Sequence, residues 1–264
     1  MQPYTLLISD LHLQESDPQT TQAYLSLLTT EAKSTDALYI LGDFFEFWIG
    51  DDDNSSFNQQ IKTALKQLRD TGVPVYFMRG NRDFFIGERF MHETGCQLLS
   101  DPTVVDIYAT PVILSHGDIL CTQDRRHLTF RRLTNVPILR WLFLSLPLAL
   151  RKKIGQKVRD HSKARTSTLA ANIMDVSADA VEAILRQHKT GCLIHGHTHR
   201  PKIHEIIVDD IRSKRIVLGA WHQQASFLKW YRDGTIELIS KDLVEFTTVS
   251  KKIPRLALLA RDDE

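Results

Sequence analysis

Five short apolar segments of this chain each end abruptly in aspartate, histidine or asparagine. Each segment is bulky and partly β-branched, which is typical of a buried strand, and helix-like stretches at 18–33 and 55–71 separate the first three. The segments are 4–9, 37–41, 73–78, 111–115 and 191–194. Alternating strands and helices predict an α/β fold, in which ligand sites gather beyond the carboxyl ends of strands. The polar residues therefore indicate one shared site.

The residues at these strand ends are of the types that bind divalent cations. Carboxylate, amide and imidazole donors without a thiolate suit Mn²⁺, Mg²⁺, iron or Zn²⁺ better than a structural zinc site. In Asp10-x-His12 and His197-x-His199, donors two residues apart can face the same way from an extended segment. Seven donors are too many for one ion and suit two ions that share a carboxylate. The seven are Asp10, His12, Asp43, Asn81, His116, His197 and His199.

Five motifs also carry a resemblance to a known family. They are SDLHL (9–13), GDFFEFWIGDD (42–52), GNRDF (80–84), SHGD (115–118) and HGHTHRP (195–201). Together they resemble the calcineurin-like metallophosphoesterases. The resemblance implies a mixed α/β fold, built as a four-layer α/β/β/α sandwich, and two bound divalent ions, with Mn²⁺ the expected metal.

The same resemblance implies how the donors are shared. One ion would be held by Asp10, His12 and His199. The second would be held by Asn81, His116 and His197, with Asp43 bridging both. Catalytic roles are implied for Asp43, Asn81, Arg82 and His116.

Outer partners should fix the tautomers of the metal-binding imidazoles, because neutral imidazole is the form that binds. Asp83 and Asp118 are candidates for this task, and turn capping is the alternative for each. We expect His195 to lie outside the first set of ligands and His222 to be a candidate near the site.

Arg82 narrows the choice of leaving group in the expected reaction. Two metal ions can activate water for attack on phosphorus and stabilise charge on a phosphoryl oxygen. Many calcineurin-like enzymes carry histidine at the position of Arg82, where it can protonate an alkoxide leaving group. Arginine clamps phosphate but cannot give up a proton. A phosphate leaving group, with a second pKa near ~6, does not need that proton. Arg82 therefore favours cleavage of a pyrophosphate bond.

Residues 121–171 interrupt the strand pattern, and their sequence predicts helices that break at Pro137 and Pro147. Positions 125–165 hold twelve basic residues and one acid around an apolar centre. This combination predicts a lid for an acylated substrate, lying on an anionic membrane surface. A solvated helical face, or packing onto the main body, is the alternative. We expect the core at 1–120 and 172–245, the insertion at 121–171 and a C-terminal extension at 246–264.

The motif LGAWH (218–222) and the insertion are similar to one branch of the family. That branch cleaves UDP-2,3-diacylglucosamine to UMP and 2,3-diacylglucosamine 1-phosphate in lipid A biosynthesis, at the cytoplasmic face of the inner membrane. The branch carries asparagine and lysine where this chain has Thr166 and Leu169, so Lys163 or Arg165 could supply the charge instead. The implied substrate contacts are Asn81, Arg82, Asp124, Ser162, Thr166, Leu169 and His197.

Composition excludes other classes. Three scattered cysteines do not form a disulfide framework, so we expect a reducing compartment. Residues 1–9 lack the basic head of a secretory signal, and the longest apolar stretch, 141–150, is about half the length of a membrane span. Without an aromatic stacking platform, nucleic acid is not expected as a partner; no obligate protein partner is evident either. Another dinuclear phosphodiesterase or a non-catalytic scaffold are the remaining alternatives.

Overall fold

The computed structural model describes residues 2–134, 136–166, 175–244 and 246–247, with the backbone alone at 161–166. Its described part holds two β-sheets and seven α-helices. The strands are β1 Tyr4–Ile8, β2 Ala37–Leu41, β3 Val75–Met78, β4 Gln97–Leu99, β5 Thr103–Ile107, β6 Thr110–Ser115, β7 Cys192–His195, β8 Lys202–Val208, β9 Ile211–Val217, β10 Gln224–Tyr231 and β11 Ile236–Asp242. The α-helices are α1 Pro18–Thr29, α2 Ser56–Asp70, α3 Glu88–Thr94, α4 Arg125–Thr134, α5 Pro137–Leu144, α6 Leu148–Thr166 and α7 Ala178–His188.

Parallel strands form the centre of each sheet. The first sheet has the order β11-β10-β1-β2-β3-β4, in which β1 to β4 run parallel. The second has the order β5-β6-β7-β9-β8, in which β6, β7 and β9 run parallel. The carboxyl ends of β1, β2 and β3 therefore meet at one edge, and those of β6 and β7 at another.

Strand alternation packs the sheets against each other and against helices. In β1, Leu6 and Ile8 pack with residues of α1 and α2, whereas Leu7 packs with Leu114 and Ile194 of the second sheet. The outer face of the second sheet packs on α7. Because side chains of a strand alternate between faces, one apolar run serves two layers. The expected α/β/β/α sandwich is confirmed.

Most of the expected elements are present, and the differences have physical reasons. Strands β8 and β9 pair in an antiparallel hairpin that the sequence analysis did not predict. Strand β8 is an edge strand with alternating exposed residues, so its sequence, KIHEIIV, lacks the continuous apolar run of a buried strand. The short elements α3, β4 and β5 were also missed. The helices of the insertion do break at Pro137 and Pro147.

Candidate metal centre

The carboxyl ends of five strands bring all seven sequence-predicted donors together. Six of them form two groups in which the potential ligand atoms lie within 4.8 Å of one another. One group is Asp10, His12 and His199; the other is Asp43, His116 and His197. The seventh, Asn81, places its Oδ1 3.0 Å from Nε2 of His116.

Asp43 lies between the two groups. Its Oδ2 is 4.0 Å from Nε2 of His12, and its Oδ1 is 3.5 Å from Nε2 of His116. The backbone N–H of Arg82 also donates to Oδ1 at 2.8 Å, which fixes the carboxylate. Asp43 is therefore positioned so that one oxygen faces each group.

The donor loops hold a strained backbone. Five of the seven donors have positive φ angles between 49° and 67°, a region that costs non-glycine residues about 1–3 kcal/mol each. They are Asp10, His12, Asp43, His197 and His199. Gly42, with φ 85°, allows the loops to approach closely, because a Cβ there would lie 2.7 Å from Cα of Gly80. Backbone hydrogen bonds between loops, such as His12 N to Asp43 O at 3.0 Å, hold this arrangement. Strain of this kind is typical of functional sites.

Outer contacts orient the donors, but they differ from those we expected. Nδ1 of His116 donates to the carbonyl of Leu41 at 2.9 Å, so its Nε2 faces the centre. Nδ1 of His12 lies 2.9 Å from Oε2 of Glu46. The backbone N–H of His197 donates to both carboxylate oxygens of Asp10, at 3.1 and 2.9 Å. Sequence reasoning missed Glu46, although a charged residue within FFEFW needs a polar partner if it is buried.

Neither Asp83 nor Asp118 contacts a donor imidazole in this way. Asp83 accepts backbone N–H groups of Gly80 at 2.5 Å and Phe44 at 2.8 Å, which is the turn-capping alternative. Asp118 pairs with Arg131 and accepts from Nε2 of His127 at 2.9 Å. Both carboxylates therefore stabilise the loops and do not fix the tautomers of the donor imidazoles.

The remaining histidines lie around the two groups. His195 is buried, donates from Nδ1 to the carbonyl of Gly196 at 2.9 Å and belongs to neither group. Burial lowers the pKa of His195 to about 4. His222 stacks on His12 with ring centroids 5.6 Å apart, so the sequence correctly indicated a residue near the site.

The electrostatics of the centre suit cations. Burial opposes a charge on His116, but Asp43 and Asp10 outweigh burial and raise its pKa to about 9. Burial likewise opposes a charge on His12, yet the contacts with Glu46 and Asp43 raise its pKa. The carboxylates thus draw protons onto these two imidazoles, whereas burial lowers the pKa of His197 to about 3. Because a cation could replace those protons, the donor set fits divalent ions.

An apolar chamber of about 480 Å³ adjoins the second group. Asn81 and Arg82 line it together with His127, whose ring lies 5.7 Å from that of His197. Most of the remaining wall is aromatic or aliphatic and comes from both the core and the insertion. Its apolar side chains are Phe47, Phe84, Phe85, Phe130, Leu133, Leu139, Phe143, Ile154 and Val158. The chamber can therefore receive an apolar group beside the donors.

The expected substrate contacts in the insertion are only partly placed. Asp124 does not line the chamber; its Oδ1 accepts the backbone N–H of His127 at 3.0 Å, at the start of α4. Ser162 and Thr166 belong to α6, but their side chains lie outside the described part, and Leu169 lies outside the described residues altogether.

Arginines attach the insertion to the core. Arg131 pairs with Asp118 and, at 2.9 Å, with Asp101. Arg140 donates to the carbonyls of Phe84 and Ile86. Two more arginines of α6 reach the segment 46–52. Part of the positive charge of the insertion thus serves internal contacts. Within the described part of the insertion, the exposed basic residues are Arg125, Arg126, Arg132, Lys152, Lys153 and Lys157.

A family model and two curated relatives show what the chain is similar to. The family model for the calcineurin-like phosphoesterases matches residues 4–201. The chain is 49% identical over 235 residues to a UDP-2,3-diacylglucosamine hydrolase of Coxiella burnetii, covering 89% of this chain and 96% of the relative. It is 48% identical to a protein of the same name from an Enterobacter species, covering 89% and 98%. A solved archaeal phosphodiesterase aligns with a TM-score of 0.47 at 12% identity, covering 90% of this chain and 99% of that one.

Proposed function

The chain belongs to the calcineurin-like phosphoesterase family, and from this premise we propose that it hydrolyses the pyrophosphate bond of UDP-2,3-diacylglucosamine. The products are UMP and 2,3-diacylglucosamine 1-phosphate, and water attacks the phosphorus nearer the uridine. The reaction is a step of lipid A biosynthesis. The observation that carries this proposal is the near full-length identity of 48–49% to hydrolases of that name. The apolar chamber beside the donor groups supports it independently.

Two divalent ions, with Mn²⁺ as the metal, complete the proposed site. Asp10, His12 and His199 would hold one ion, Asn81, His116 and His197 would hold the other, and Asp43 would be shared by both. When bound, such ions lower the pKa of a water molecule and stabilise charge on a phosphoryl oxygen. The grouping of the donors and the excess carboxylate charge support this assignment.

Arg82 and Asn81 bind the phosphate in this proposal. Both line the chamber next to the donors. Within the described part, the buried Nε of Arg82 has no hydrogen-bond acceptor, so a phosphate oxygen would satisfy a donor that is otherwise unpaired. A guanidinium gives two parallel hydrogen bonds to phosphate and keeps its proton. Arg82 thereby orients the substrate. It does not protonate the sugar phosphate, which departs without a proton donor.

The chamber receives the acyl chains of the substrate in this proposal. The insertion at 121–171 then acts as a lid on the core, which comprises 1–120 and 172–245. Residues 246–264 form a C-terminal extension. Each buried methylene contributes about 0.8 kcal/mol to binding. The mixed wall, with Phe85 of the core stacked on Phe143 of α5 at 4.4 Å, supports this role.

The outer face of the insertion lies on the anionic bilayer at the cytoplasmic face of the inner membrane. Helix α5 exposes Ile138, Trp141 and Leu142, with half or more of each side chain accessible. Exposed basic residues such as Arg132 and Lys153 flank α5 in the sequence. Exposed apolar side chains between basic residues are typical of a helix that lies in a membrane interface. Among the described residues, no helix has both the length and the apolar character needed to cross a bilayer. The proposal calls for no protein or nucleic-acid partner.

The test is product analysis. Purified protein incubated with UDP-2,3-diacylglucosamine should release UMP, EDTA should abolish the release, and Mn²⁺ should restore it. Bis(p-nitrophenyl) phosphate, an aryl diester, should be a much poorer substrate. Equal cleavage of both compounds, or no UMP with Mn²⁺ present, would contradict the proposal.

A further inference from the structure

A buried carboxylate connects the insertion to one donor group. Glu46, which follows β2, is 6% exposed and uses both of its oxygens. Oε2 lies 2.9 Å from Nδ1 of His12, and Oε1 lies 2.9 Å from Nε of Arg159 on α6. One side chain thus joins a helix of the insertion to a donor of the core.

Further contacts hold this connection in place. The backbone N–H of Glu46 donates to the carbonyl of Leu13 at 3.1 Å, so Glu46 is fixed to the loop that carries His12. Nη2 of Arg159 donates to Oε1 of Gln14 at 2.8 Å, so the guanidinium also touches that loop directly. Arg159 is about one-fifth exposed, which keeps its charge close to Glu46 with little solvent between them.

The orientation of His12 depends on this contact. Its Nε2 lies 3.4 Å from Nε2 of His199 and 4.0 Å from Asp43, on the side where the donors converge. An imidazole that binds metal through one nitrogen is oriented by the partner of the other, here Glu46. Without Arg159, the buried carboxylate of Glu46 would lose a compensating charge and could turn away from His12.

We propose that Arg159 is a positioning residue that acts through Glu46 on His12, so that seating of α6 on the core and cation affinity of the group Asp10, His12 and His199 are coupled. This inference rests on the metal roles in the proposed function. Coupling of this kind is reciprocal: a seated helix tightens cation binding, and a bound cation holds the helix in place.

Arg159 also lines the chamber, so two roles must be separated. A role in the chamber alone changes the KM for the acylated substrate and leaves cation binding unchanged. The proposed role changes cation binding when no substrate is present. Calorimetric titration of the metal-free protein with Mn²⁺ measures this directly.

The titration compares four variants with the wild type. Glu46→Gln should weaken one of the two Mn²⁺ sites by about 10–100-fold, as loss of such outer partners usually does. Arg159→Gln should weaken the same site by about tenfold, and the double variant should be no weaker than Glu46→Gln alone, because the residues act in series. Lys157→Gln is the matched control: it removes an exposed charge from the same helix and should bind Mn²⁺ like the wild type. If Arg159→Gln fails to fold by circular dichroism, Arg159→Met, which keeps the aliphatic length, takes its place.

Hydrogen exchange provides a second readout. Mn²⁺ should slow amide exchange in α6, measured on peptides from 148–160, in the wild type and in Lys157→Gln but not in Arg159→Gln. Wild-type Mn²⁺ affinity in Arg159→Gln, or additive losses in the double variant, would overturn the coupling while leaving the proposed function intact. A wild-type protein that binds no Mn²⁺ would overturn both.

Discussion

Replacing Arg151 should loosen the insertion and lower the free energy of unfolding by about 3 kcal/mol. Arg151, near the start of α6, is 2% exposed. Its Nη1 donates to the carbonyl of Ile49 at 2.6 Å and to Asp52 at 2.8 Å, Nη2 pairs with Asp52, and Nε donates to the carbonyl of Leu146 at 2.9 Å. The guanidinium thus joins the insertion to the segment after β2.

The magnitude follows from what each partner loses. In Arg151→Met, each carbonyl left without its charged donor costs about 1–3 kcal/mol. The side chain of Asp52 is half-exposed, so water replaces much of its partner and that pair contributes about 0–1 kcal/mol. The two carbonyls therefore dominate, and the methionine chain keeps most of the apolar packing. Asp52→Asn, which leaves the carbonyl contacts intact, should cost less than about 1 kcal/mol.

Equilibrium unfolding in urea, followed by circular dichroism, measures both variants against the wild type. The same samples, assayed for UMP release, should show a higher KM for Arg151→Met because the chamber is formed partly by the insertion. Equal losses of stability in the two variants, or a loss below about 0.5 kcal/mol in Arg151→Met, would refute the reasoning that buried carbonyl contacts seat the helix.

Three other predictions concern the centre, the phosphate and the membrane. Burial opposes a charge on His116, but Asp43 outweighs burial and raises its pKa to about 9. Mn²⁺ binding should therefore release a proton below pH 9 and tighten as the pH rises towards that value. Calorimetry in buffers of different ionisation enthalpy measures the release, and an affinity that does not change with pH would contradict it. Arg82→Met should lower kcat/KM for UMP release by about 10–200-fold, from the loss of charged hydrogen bonds worth about 1.5–3 kcal/mol, and unchanged turnover would remove Arg82 from the phosphate site. Trp141→Asp should weaken binding to anionic vesicles, measured by sedimentation, by about tenfold or more, because apolar burial worth about 1.5–3 kcal/mol is lost. Ile207→Asp, on the exposed edge strand β8, should leave the binding unchanged. Equal effects of the two substitutions would argue against docking through α5.

The main features of the centre could be predicted because each donor follows an apolar run that ends abruptly. His116, for example, comes directly after β6, at the point where the apolar residues of that strand give way to polar residues. Outer contacts are a different matter. The partner of Nδ1 in His116 is the backbone carbonyl of Leu41, which has no side-chain signal. Glu46 becomes a partner of His12 only because β1 and β2 are adjacent in the sheet.

The charge of the insertion shows the same limit. Arg131 and Arg151 belong to a run of basic residues that by itself suggests an exposed surface. In the fold they point inward to Asp101, Asp118 and Asp52, which are distant in the chain. Sequence patterns record local periodicity, and these pairings depend on how the insertion returns to the core.

The central claim is that two cations bind on either side of Asp43. An anomalous difference map, measured at the manganese absorption edge from crystals grown with Mn²⁺, tests it most directly. The account predicts two peaks about 3.5–4 Å apart, one beside Asp10, His12 and His199 and the other beside His116 and His197. A single peak, or peaks remote from Asp43, would contradict it.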